Sequence, residues 1–98
     1  MEITLTGQAV QFFEKDMGLK EGQAVRFTSK VYGKTNIHEG LSVMTQLAQP
    51  KRPLITTQIN GVTYFAEEAD AWFYSGHSLN VDYNPNKESI LFRFENPA

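Results

Sequence analysis

Hydrophobic positions along this chain recur with two periods, and the changes from one to the other divide it into elements. "MEITLT" places Ile3 and Leu5 on one face of a short strand and leads to Thr6, a good helix N-cap. Val10, Phe13 and Met17, flanked by Ala9 and Phe12, then recur at helical spacing and predict a helix over residues 7 to 17, ended by the left-handed position that Gly18 supplies. After "KEGQ" the period falls to two. Val25, Phe27, Ser29 and Val31 share one face of a strand, with Arg26, Thr28 and Lys30 on the other. The segment "YGKTNIHEG" breaks the pattern, after which Leu41, Val43, Thr45 and Leu47 again fall on a single face.

The second half repeats this logic. "AQPKRP" loses two backbone donors to proline and reads as a loop or sheet edge. "LITTQI" and "VTYFAEE" flank Asn60-Gly61, the pair preferred in a tight type I′ hairpin. "EEADAWFYSGH" returns to helical spacing as one or two turns ended near Gly76, with Ala69, Trp72 and Phe73 on its inner side and Tyr74 free for exposure. Leu79, Val81 and Tyr83 then alternate against Ile90, Phe92 and Phe94 across the turn "NPNKE", which predicts antiparallel neighbours. The expected architecture is a mainly β, α+β domain of mixed or antiparallel sheets, with an N-terminal helix and one short second helix.

Length allows one domain, residues 1 to 98, because a chain of this size has surface enough to bury a single core. Hydrophobic residues make up 41% and charged ones 20%, which separates the chain from disordered sequences. A net charge of -2 and one adjacent basic pair, Lys51-Arg52, argue against nucleic acid as a partner, since phosphate recognition calls for a stripe of Lys and Arg. The longest apolar run is "AWFY", far below the ~20 residues that span a bilayer, and the start lacks the basic region of a signal peptide. No membrane association and a cytoplasmic location are expected.

The absence of cysteine excludes disulfides, thiolate ligands and thiol nucleophiles. The remaining candidate chemistry lies in the glycine-bounded loop, with Gly33, Lys34, Thr35, Asn36, His38 and Glu39, together with His77 after the second helix. His38 and Glu39 have the chemistry of metal ligands or of an acid-base pair, but a mononuclear site needs three or four converging donors, and the local spacing offers a single His-Glu pair. The plainer reading is a solvated loop histidine and a helix-end histidine facing terminal carbonyls. "EEAD" likewise reads as a solvated helix start favoured by the helix dipole. Neither a G-x-S-x-G elbow nor a P-loop nor G-x-G-x-x-G occurs.

In the order of its elements the chain resembles the HesB/IscA-like family, the A-type proteins of iron-sulfur cluster biosynthesis, and within it a small cysteine-free branch of Gram-positive bacteria. The resemblance rests on "ITLT" before a helix, on "AVRFTSKVYGKTNIHEGLSV", on "INGVTYFAEEADAWFYSGHSLNVDY" and on the final "LFRFENP". It implies the HesB-like fold, often as dimers or tetramers, so a homodimer is among the expected states. Cluster-carrying members place one cysteine after the glycine of the central loop and two in a C-terminal Cys-x-Cys tail. Here Lys34 follows Gly33, and the chain ends at Ala98 before such a tail. The resemblance therefore implies a retained scaffold without cofactor, metal ligands or catalytic residues, whose role is to bind an unidentified protein partner or a small anion at the Gly33 to Glu39 loop. An accessory metal role through His38, Glu39 or His77, and a small hydrolytic or acid-base enzyme, stand as alternatives.

Overall fold

A computed structural model describes residues 1–96. Seven strands form two sheets: β1 (Ile3–Leu5), β6 (Ser78–Asn84) and β7 (Ser89–Glu95) in one, and β2 (Ala24–Lys30), β3 (Ser42–Leu47), β4 (Pro53–Ile59) and β5 (Val62–Glu67) in the other. Strand order is β1-β6-β7 and β3-β2-β5-β4. Two pairs are parallel, β1 with β6 and β2 with β5; the others are antiparallel. Parallel neighbours require long crossovers, so distant parts of the chain set both sheets. The mixed α+β, mainly β architecture agrees with the sequence-based expectation.

The core lies between the sheets. Val25, Phe27, Val62 and Tyr64 from one sheet meet Ile3, Leu79, Val81 and Phe94 from the other, with Ala9 and Phe13 of the N-terminal helical segment against them. Thr6 caps α1 (Gly7–Gln11) by accepting a hydrogen bond from Ala9 N at 3.2 Å, and its hydroxyl donates to Asp82 Oδ1 at 3.0 Å, which ties the cap to β6. The expected single α-helix over residues 7 to 17 is instead α1 followed by a π-helical turn, Phe12–Asp16, in which Met17 N bonds to Phe12 O at 3.1 Å. The wider turn carries Met17 out to 39% exposure, and Leu19 takes a buried place in its stead.

Local turn chemistry behaves as the sequence dictates. Asn60 and Gly61 both have positive φ, 53° and 79°, as a type I′ hairpin requires between β4 and β5. Pro53 opens β4, an edge strand where a missing donor costs no ladder bond. Leu79, Val81 and Tyr83 stand opposite Phe94, Phe92 and Ile90.

Side-chain directions depart from expectation where strands end. β2 stops at Lys30, so Val31 leaves the sheet and is 78% exposed; at the far end of β3, on the sheet edge, Leu47 is also exposed. The second helix, α2 (Ala71–Tyr74), is one turn preceded by a tighter 3₁₀ turn at Glu68–Asp70. That tighter turn rotates the next residues: Trp72 and Ala69 face outward while Tyr74 is fully buried, its hydroxyl donating to Phe27 O. "EEAD" is not a solvated helix start, since Glu67 and Asp70 are both buried and bonded.

Candidate functional site

The carboxyl ends of parallel strands β2 and β5 lead to the same end of the larger sheet, and there the 33–39 loop meets α2. The loop is a closed turn. Lys34 and Glu39 pair across its base, Thr35 N donates to His38 O at 2.9 Å, and Thr35 Oγ1 accepts from Ile37 N and His38 N at 3.2 and 3.0 Å. Gly33 holds φ at 80°, with the Ser42 side chain 3.3 Å from where a Cβ would stand, so both conformation and space select glycine.

Asn36 anchors the loop to the smaller sheet. Its Nδ2 donates to Phe94 O at 2.7 Å and its Oδ1 accepts from Phe94 N at 2.9 Å, the pairing a neighbouring strand would make. His38 lies parallel to the Phe73 ring, centroids 5.2 Å apart and planes 12° apart, with Nε2 2.6 Å from Phe73 O. That short contact to a carbonyl requires a proton on Nε2. His77 Nδ1 lies 3.0 Å from Tyr74 O. The two histidines thus serve adjacent carbonyls at the end of α2, where Tyr74 O also accepts from His77 N at 2.8 Å. Lys34, Glu39 and Arg93 line an open cleft of about 680 Å³ together with His38 and Phe92.

Sequence reasoning assigned no role to a second polar centre, which lies by the β2 and β5 side of α2. Arg26 Nη2 stands 2.9 Å from Asp70 Oδ2, Arg26 Nε donates to the same oxygen at 3.0 Å, and Thr28 Oγ1 donates to Oδ1 at 2.9 Å. Glu67 accepts from Lys51 N and Arg52 N at 2.7 and 2.8 Å. The Lys51 amide leads in holding the Glu67 carboxyl below its ordinary range, helped by the Arg52 amide and the charges of Arg26 and Lys51 against the opposing effect of burial. Burial, with the Asp70 charge, raises the Tyr74 phenol. Burial first and then Glu14 push Tyr64 up to about 12. The signal for this centre was present in the alternation of β2, which put Arg26 and Thr28 on one face, but their shared acid lies 44 and 42 residues away.

This donor set does not fit a thiolate-held cluster. The sequence has no cysteine, Lys34 brings an ammonium to the loop, and the described residues contain no group of three or more His, Asp or Glu side chains able to hold a metal ion. Nor do the described residues include a helix long and apolar enough to cross a membrane.

The two sheets and short helices define a chain with the IscA-like fold. Superposition on the crystal structure of IscA with the [2Fe-2S] cluster gives a TM-score of 0.52 at 21% identity, covering 97% of this chain and 82% of that one. In sequence, the chain is similar to the pyruvate dehydrogenase inhibitor of Bacillus subtilis, 27% identical over 95 residues, covering 97% of this chain and all of that protein. It is also 26% identical over 95 residues to an uncharacterized protein of Staphylococcus saprophyticus, covering 94% and 97% of the two chains. No protein-family model matches.

Proposed function

We propose that this protein is a non-catalytic binding protein that docks on pyruvate dehydrogenase and inhibits it. The observation that carries the reading is the end-to-end similarity to a protein named as an inhibitor of that enzyme. Its geometry is compatible with docking rather than turnover: both histidines lie within hydrogen-bond distance of backbone carbonyls, and Val31, Tyr32 and Trp72 are 78%, 77% and 58% exposed. Exposed aromatic side chains such as Tyr32 and Trp72 anchor protein interfaces. A cytoplasmic location goes with this reading. The test is direct: purified protein is titrated into the pyruvate dehydrogenase complex of Bacillus subtilis while NADH formation is followed. Inhibition saturating at a fixed stoichiometry supports the proposal, and unchanged turnover with no complex by sedimentation ends it.

A second reading, a small anion held at the 33–39 loop, is favoured by one observation: Lys34 and Arg93 line the same cleft. Phosphate titration followed by amide shifts tests it, and shifts that persist in a Lys34→Ala, His38→Ala double variant would remove the loop from it.

A further inference from the structure

A cleft of about 350 Å³ opens between the two sheets, with Phe92 lining both it and the cleft of the 33–39 loop. Its apolar lining includes Phe12, Phe13, Met17, Val43, Ile90 and Phe92, and the charged residues along it are Lys30 and Glu88. Its walls are the edges of both sheets, since β3 ends one strand order and β7 the other.

The register shows what these edges present. Ala48 N bonds to Ala24 O at 3.3 Å, so bonded pairs between β2 and β3 fall at every second position from there. Val43 and Thr45 therefore turn their backbone N–H and C=O away from β2. On β7, Asn36 takes both backbone groups of Phe94, which places Phe94, Phe92 and Ile90 outward in the alternation. Among the described residues nothing pairs with the outward groups of Val43, Thr45, Ile90 or Phe92.

We propose that the cleft between β3 and β7 receives an extended segment of a partner protein as an added strand. This deepens the protein-binding reading above and rests on it in taking a protein as the partner. Three features select the occupant. Unpaired ladder groups on two sheet edges that line one cleft call for a peptide backbone, and the Asn36 amide already makes that type of contact at Phe94, two residues along β7 from Phe92. The apolar floor accepts alternate apolar side chains. Lys30 and Glu88 complement a segment carrying one acid and one base.

The experiment pans a phage-displayed random dodecapeptide library on the full-length protein and follows amide exchange by NMR with the enriched peptides. Enriched sequences alternate apolar residues, and their binding slows exchange at Val43, Thr45, Ile90 and Phe92 by about tenfold or more. Thr45→Pro, which removes an outward donor and leaves the β2 ladder intact, and Met17→Glu, which charges the floor, each weaken the peptides by about tenfold or more. Three results overturn the proposal: no alternating sequence is enriched, the four amides stay unprotected, or a folded variant binds the peptides as wild type does. Protection that grows with protein concentration alone overturns it in favour of self-association. Wild-type inhibition of pyruvate dehydrogenase retained in Thr45→Pro ends the strand-addition proposal and leaves the functional one standing. Peptide binding without inhibition does the reverse.

Discussion

Asn36 supplies, from one side chain, what an eighth strand would supply to β7 at Phe94. Asn36→Ala is expected to cost about 1 to 2 kcal/mol, for two hydrogen bonds of which water recovers part, and to speed exchange of the Phe94 amide. Asp70 holds Arg26 and Thr28 from a site only 5% exposed. Asp70→Ala should destabilise by about 2 to 3 kcal/mol in chemical denaturation, because Arg26 then keeps its charge without its partner. Glu67 has a pH signature. Its folded pKa is lowered from 4.5, so its contribution is complete above that value and disappears as pH falls through the lower one. The melting temperatures of wild type and Glu67→Gln should therefore differ at neutral pH and converge in acid; a gap constant down to pH about 2 would contradict the assignment. None of these partners could be read from the sequence, where Glu67 and Asp70 looked like ordinary helix-start acids. Their partners come from other segments, and only folding brings those within 3 Å.

Elements were more legible than partners wherever a local rule acts alone. The Asn60-Gly61 hairpin, the Thr6 cap and the β6-β7 register follow from residues close in sequence. Gly61→Ala should cost about 1 to 2 kcal/mol, since φ is 79° and a Cβ would stand 2.4 Å from Glu21 Cγ; a smaller loss in chemical denaturation would mean that Glu21 swings aside freely. The elements that escaped are short or irregular. A period of 3.6 drawn through residues 7 to 17 cannot anticipate a π turn at Phe12–Asp16, and a 3₁₀ turn before α2 reversed the roles of Trp72 and Tyr74.

At the scale of the molecule, β1 holds the two sheets together. Ile3 is 3% exposed in the shared core, its carbonyl accepts from Thr57 Oγ1 at 3.0 Å on the opposite sheet, and its own strand pairs with β6, 76 residues away in register. Ile3→Ala should therefore cost about 2 to 5 kcal/mol and lower the stability of both sheets together, with a single unfolding transition by fluorescence and by far-UV dichroism. Strand positions, turn types, the α+β class and the lack of any thiol were determined by the sequence alone, because alternation, capping and turn preference act over a few residues and cysteine content is a matter of composition. The parallel pairings of β1 with β6 and β2 with β5, the joining of His38 and His77 at one helix end, the Arg26-Asp70 centre and the two open edges that flank one cleft were decided by tertiary structure. Each depends on long-range pairing, whose energy comes from burying one core between two sheets and leaves no periodic trace in the residues that it brings together.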